Sequence, residues 1–238
     1  MPEHTFYPPN EAQRLLAVQP YAELLTKQQV FQSLVQLTAR LFVAPMSIMS
    51  LVEAEEVQYP GNVGMPTLPP RLARIDCICS AAVYTSTTTV FPDLRAQPCP
   101  WVSPAAQAQT DFQFYAGHPL LTSAGYAIGT LCVLDAMPRA FTIAEQAVLQ
   151  QLAELAMRLL DLHLLLARQA APAPAVWAGI EARLTFSIQR IETLTALARR
   201  ASSTAAAIYQ VDIQQEQQLI LADIDYNVRQ ALTQATTK

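Results

Sequence analysis

The chain has 238 residues, 52% of them apolar, and a formal net charge of −4 with lysines only at Lys27 and Lys238. That length suits one domain of about 150 residues plus an appendage, and the lack of any basic block argues against a nucleic-acid groove or an anionic membrane surface as partner. The opening MPEHTFYPPN lacks the basic and apolar regions of an export signal, and LLDLHLLLA, interrupted by Asp161 and His163, falls short of the roughly 20 apolar residues of a spanning helix, so a cytoplasmic protein with reduced cysteines is expected.

Residues 1–9 read as a flexible lead. A first helix starts near Glu11 with Leu15 and Val18 on one face, and Pro20 is expected to end or kink it. A second helix, about Gln28 to Phe42, carries Val30, Leu34, Leu37 and Leu41 at intervals of 4, 3 and 4. MSIMSLV then reads as a central strand, with VQYP as a short partner, and Gly61, Gly64, Pro66, Pro69 and Pro70 predict a long irregular loop. IDCICSAAVYTS predicts a loop feeding a short helix, and TTTVF the next strand. Pro92 to Gln109 is rich in proline and alanine, with room for one short helix, and such a loop in a compact domain is more often functional than idle.

FQFYAGHPLL and YAIGTLCVLD, joined by Ser123-Ala124-Gly125, form the clearest hairpin signal in the chain. Gly117 and Gly129 inside these strands point to a bulge or a close backbone approach, beside a ligand or not. Thr142 and Glu145 then form a capping box for a helix over Ile143 to Gln169, roughly 40 Å long. Leu152, Leu155, Leu159, Leu162 and Leu166 recur along it at 3, 4, 3 and 4, the spacing of a coiled-coil seam, and this stripe is expected to form a dimer interface. Packing on the domain's own sheet is the competing use. AAPAPA (170–175) reads as a stiff linker. From Ile180 to Lys238 there is neither Gly nor Pro, and Ser202-Ser203-Thr204 offers a break. Two helices are expected, about 176–200 and 204–235. The first buries Val176, Ile180, Leu184, Ile188 and Ile191, the second Ile213, Ile220, Ile224 and Val228. They suit an antiparallel hairpin, completed or not by a second subunit.

FYAGHPL followed by a turn and GTLCVLDAMPR resembles the last two core strands of a GAF domain of the bacterial sensory type. Asn10-Glu11 with Arg14-Leu15, FQSLVQLTARLFVAPMSIMSLV and CICSAAVYTSTTTVFPDLRAQPCP extend the resemblance over roughly residues 10 to 168. The segment from 53 to 80 departs from the pattern, since the tryptophan-bearing strand and compact loop of typical relatives are missing. The resemblance implies an α+β fold in which a central antiparallel sheet is flanked by helices. The domain would span 10–169, with the helical hairpin at 176–238 following it. It also implies a ligand cavity on the sheet face away from the helices, under the 61–80 and 92–111 loops, with Cys77, Cys79, Asp93, Phe114, Tyr115 and His118 placed around it. The function implied is a non-catalytic sensor that binds an unidentified small molecule and signals as a homodimer or through a downstream protein; no cofactor is specified.

Three other chemistries compete for Cys77, Cys79 and Cys99. Their spacing lacks the paired arms of a structural zinc site. A thiol-dependent reductase of the free methionine-(R)-sulfoxide type has thiols in a similar layout, but it needs a low-pKa thiolate and a resolving thiol. The surroundings of that family's catalytic cysteine are not reproduced here, and Asp93 and Asp135 are the available carboxylates. Cysteine-linked bilin attachment usually uses a Cys-His pair, whereas Ser80 follows Cys79. Buried, inert thiols are the favoured reading, with Cys132 as core. His118 either donates to a ligand or is satisfied by neighbouring backbone. Phe114 and Tyr115 alternate, so one faces the pocket and the other the helices. No P-loop, dinucleotide fingerprint, G-x-S-x-G elbow or H-E-x-x-H occurs, and no histidine lies in the tail helices to accept a phosphoryl group. A ligand-free scaffold remains the third reading.

Overall fold

Val30, Leu34, Leu37 and Leu41, spaced to share one side of a helix, are all buried against a sheet, and that contact organises the molecule. The computed structural model describes residues 7–24, 29–169, 174–201 and 203–236. In chain order the elements are α1 (Glu11–Leu24), α2 (Gln29–Leu41), β1 (Met46–Val52), β2 (Glu56–Val63), β3 (Arg71–Ala73), two 3₁₀ segments (Arg74–Asp76 and Ile78–Tyr84), β4 (Thr89–Phe91), α3 (Pro104–Ala108), β5 (Phe114–Leu121), β6 (Ala127–Asp135), α4 (Ile143–Ala167), α5 (Pro174–Arg200) and α6 (Ser203–Thr236). The strands form a six-stranded sheet in the order β3-β2-β1-β6-β5-β4, every pair antiparallel.

The hairpin legible in the sequence is β5–β6, with Tyr115 opposite Leu134, Gly117 opposite Cys132 and His118 opposite Leu131. Its two glycines answer close approaches within the protein. A Cβ on Gly129 would fall 2.0 Å from the Ser50 carbonyl of β1, and one on Gly117 would fall 2.1 Å from the Tyr115 hydroxyl. The capping box forms as read: Thr142 Oγ1 accepts from Glu145 N–H at 3.2 Å, and Thr142 N–H donates to Glu145 Oε2 at 2.7 Å.

Three departures are physical. The first helix does not stop at Pro20 but runs on to Leu24. Proline leaves the carbonyl four residues earlier without a helical donor, and that residue, Leu16, is exposed enough (71%) for water to serve it. The second departure is β2, which extends past VQYP through Gly61 to Val63, so the irregular segment is shorter than expected and leads into β3. Third, the leucines read as a dimer seam are covered within one chain. Leu152, Leu155, Leu159 and Leu162 are at most 1% exposed and Leu166 8%. They share a core with β5 on one side and with Leu221, Ile224 and Val228 of α6 on the other. A helix sandwiched between a sheet and a second helix needs two apolar sides, which accounts for the additional leucines around α4.

The last two helices pair with each other and dock on the body. Arg183–Asp223 (2.8 Å) and Arg190–Glu216 (2.7 Å) run in opposite chain directions, which makes the pair antiparallel. Ile180, Leu184 and Ile191 of α5 and Ile220, Ile224 and Val228 of α6 are buried, while Val176, Ile188 and Ile213 are partly covered. α5 lies on α2 and α6 on α4, joined by Arg40–Glu192 at 2.7 Å, Arg158–Asp225 at 2.8 Å and a bond from Gln217 Nε2 to the Leu41 carbonyl at 2.9 Å. Most of the expected linker, 170–173, and the first six residues of the expected lead lie outside the described residues. The result is a layered structure: the helical pair, then α1, α2 and α4, then the sheet, then a cover of loops and 3₁₀ turns.

Candidate functional site

The second sheet face carries its own core, in which Ile48, Val52, Val57, Tyr115, Cys132 and Leu134 meet Cys77, Ile78, Cys79, Cys99 and Val102 from the covering segments. Between sheet and cover lies a cavity of about 300 Å³. Its floor is Ile48 and Leu134, and its walls are Tyr59, Met65, Leu68 and Leu72 from the β2–β3 side. Cys77, Ile78 and Cys79 come from the 3₁₀ region, and Leu94, Val102 and Phe112 from the segment before β5. Asp76, Arg95, Gln107 and Thr110 add polar groups.

The cover is held by short-range bonding that irregular backbone needs once it is buried. Gln107 acts as a clamp: its Oε1 accepts from Cys99 N–H at 2.8 Å, while Nε2 donates to the carbonyls of Cys99 at 3.0 Å and Val102 at 2.8 Å. Ser103 caps α3 by accepting from Ala106 N–H at 3.1 Å, and its hydroxyl donates to Asp76 Oδ1 at 2.7 Å. That last bond ties the 92–111 loop to the 3₁₀ region. Ser80 donates to the Cys77 carbonyl at 2.6 Å. Below it, Arg74 is anchored to Glu11 at 2.5 Å, and Glu11 also binds the fully buried Arg14 at 2.8 Å. Burial works to raise the Glu11 pKa, but the hydrogen bonds from Arg14 and Arg74 outweigh it and hold the carboxyl below its ordinary value.

Of the six residues placed around the pocket from the sequence, Cys77 and Cys79 line it. Phe114 lies on the opposite face, in the core with α2 and α4. His118 shares the parity of Phe114, Ala116 and Leu120; its Nδ1 is 2.9 Å from Thr88 Oγ1, and burial lowers its pKa, so the ring is neutral at pH 7. The partner of His118 is thus a side-chain hydroxyl, neither a pocket ligand nor backbone. Tyr115 is on the cavity face but behind its wall, fully buried with its hydroxyl unpartnered. Asp93 shapes a turn, accepting from Arg95 N–H at 2.9 Å and Ala96 N–H at 3.4 Å. No period in the sequence marks Met65, Leu68, Leu72, Gln107 or Phe112, and the VQYP strand pattern that holds Tyr59 does not say that its face meets a cavity. The proline-rich loop pointed to the region, not to the inward side chains.

All four cysteines are buried free thiols. Cys79 Sγ is 3.8 Å from Cys132 Sγ, and Tyr59 Oη is 3.1 Å from Cys77 Sγ. The bond with Cys79, then burial, pushes Cys77 well up; the bond with Cys132, reinforced by burial, does the same for Cys79. Burial pushes Cys99 up to about 11. Nucleophilic attack uses the thiolate, and these thiols stay protonated at neutral pH. Among the described residues no group of three or more His, Cys, Asp or Glu side chains is arranged to hold a metal ion, and no helix is long and apolar enough to cross a membrane.

Residues 26–160 match the GAF domain family. The chain is 28% identical over 131 residues to a cyclic di-GMP phosphodiesterase of Pseudomonas aeruginosa; the match covers 54% of this chain and 22% of that protein, so the chain spans about a fifth of that curated relative. Among solved structures it is similar to the GAF domain of an Acinetobacter phosphoenolpyruvate-protein phosphotransferase (12% identity, 63% of this chain and 92% of that one, TM-score 0.46). It is also similar to a free methionine-R-sulfoxide reductase from Neisseria meningitidis (17% identity, 63% and 89%, TM-score 0.46).

Proposed function

This chain belongs to the GAF domain family, and on that premise we propose that it is a non-catalytic sensory or regulatory module that binds a small molecule and signals through its helical pair. The observation that carries this reading is the cavity of about 300 Å³, at the small end of ligand-pocket sizes, roofed by loops on the sheet face opposite the helices. Ligand binding would order the 61–80 and 92–111 segments and shift the population between two packings of the layers beneath. The sheet lies between the cavity and α2 and α4, and α5 and α6 rest on those helices. With the leucine stripe of α4 covered in the single chain, self-association or docking of a downstream protein falls to the outward side of the helical pair, where Phe186, Leu197, Ile208, Val211 and Leu219 are exposed.

Protonated, buried thiols favour this reading over a thiol-dependent reductase. Free methionine-(R)-sulfoxide with a dithiol reductant is expected to give no turnover; turnover lost on Cys99→Ser would overturn the non-catalytic assignment. Cyclic di-GMP hydrolysis is the activity named for the relative and is not assigned to this chain. The ligand reading is tested by native mass spectrometry of the chain purified from its own host. An added small-molecule mass that disappears on denaturation is expected. A bare polypeptide mass under those conditions counts against a resident ligand and favours the ligand-free scaffold.

A further inference from the structure

The wall of the cavity constrains what it can recognise, because nearly all of its polar groups are already committed to the protein. Tyr59 Oη is paired with Cys77 Sγ at 3.1 Å, and the Gln107 amide spends both its nitrogen and its oxygen on the 99–102 backbone. Thr110 Oγ1 donates to the Gln107 carbonyl at 2.9 Å, and Asp76 Oδ1 receives the Ser103 hydroxyl at 2.7 Å. Cys79 Sγ faces Cys132 Sγ at 3.8 Å. A ligand that needed these groups would have to break the bonds that hold the cover together, and a buried group left without its partner destabilises the fold.

Arg95 is different. Its backbone N–H is held by Asp93 Oδ1 at 2.9 Å, but its guanidinium makes no hydrogen bond or ion pair with any described residue. Nine other arginines in the structure, including the exposed Arg71 and Arg183, pair with carboxylates. Arg95 lines the cavity and is itself exposed, so its fork is offered at the mouth in a protein of net charge −4. An uncommitted guanidinium presents several donors in a plane that matches a carboxylate.

We propose that the cavity takes a molecule with an apolar body and a single carboxylate, the body lying among Ile48, Leu68, Leu72, Phe112 and Leu134 and the carboxylate pairing with Arg95 at the mouth. This assignment rests on the reading of the cavity as a ligand site and adds the chemistry of the ligand. The volume suits on the order of a dozen non-hydrogen atoms. Asp76 also lines the cavity, with its Oδ1 held by Ser103, and a carboxylate there disfavours an anionic head, which leaves Arg95 as the group to receive it. Asp76 is also the group that would read a cationic head were the assignment reversed.

The test uses three molecules of one shape and different charge: 4-phenylbutyrate, 4-phenylbutanamide and 4-phenylbutylamine. Each is titrated calorimetrically into the full chain, into R95Q, and into R183Q as a control for the loss of one positive charge on the helical pair, away from the cavity. The expected result is that the carboxylate binds at least about tenfold more tightly than the amide and the amine, that R95Q removes this preference, and that R183Q keeps it. An amide or amine that binds as well as the carboxylate, or a preference that survives R95Q, overturns the ligand class while leaving the cavity as a binding site. Failure of all three to bind the unmodified chain at millimolar concentration counts against the cavity reading itself and removes this proposal with it.

Discussion

The two faces of one sheet are built to different specifications. On the helix face, Phe31, Leu34, Phe114, Leu131, Leu152 and Leu159 are all fully buried, and regular helices supply most of the covering side chains. On the other face the cover is 3₁₀ turns, one five-residue helix and loops, and a cavity of about 300 Å³ remains beneath it. Helices bring side chains at a fixed period and can close a face completely. Loops must spend side chains such as Gln107 and Ser103 on their own backbone, and they leave space that a ligand can fill.

Cavity-forming substitutions should separate the faces most strongly. Phe114→Ala is expected to cost about 3–5 kcal/mol in urea unfolding, whereas Leu68→Ala, beside an existing void, should cost less than about 1 kcal/mol. Equal losses would erase the distinction. Next in size, Thr142→Ala removes the cap that starts α4 and should cost about 1 kcal/mol by the same assay. An unchanged midpoint would mean that α4 is fixed by packing alone.

Tyr115→Phe should move stability the other way. The Tyr115 hydroxyl is buried without a partner, so its removal is expected to be neutral or stabilising by up to about 1 kcal/mol. A clear destabilisation would reveal a partner, such as an ordered water, within the thiol face. The smallest effect is a pH slope with two windows. His118 is depressed below its ordinary 6.5, so the unfolded chain takes up its proton first, and the stability associated with neutral His118 is lost as pH falls below about 6.5 toward the folded value. Glu11 is held below its ordinary 4.5, so its contribution is present above that value and is lost as pH falls through the lower folded pKa. His118→Asn should flatten the upper window and Glu11→Gln the lower one; slopes unchanged in both variants would contradict these assignments.

The same contrast explains what the sequence made legible. The β5–β6 hairpin, the Thr142–Glu145 cap and the apolar stripes of α2, α5 and α6 are periodic or local signals, and each appears where its residues put it. Alternation told that Phe114 and Tyr115 part company but not which side each takes, because that depends on which face the helices cover. His118 fell with Phe114 for the same reason. The α4 leucines fit a seam between helices, and the helix they meet is α6 of the same chain, a partner that spacing alone does not name. In the cavity, Met65 and Leu68 follow no period, since loop side chains turn inward according to local bonds such as Asn62 Nδ2 to the Met65 carbonyl at 2.6 Å.

The most direct test of the contrast between the two faces is methyl NMR of the full chain under xenon pressure, since xenon enters apolar cavities without needing polar partners. The account predicts shifts at Ile48, Leu72 and Leu134 on the cavity face, with Leu34, Leu131 and Leu159 on the helix face unmoved. Shifts confined to the helix face, or none at the cavity methyls, would contradict it.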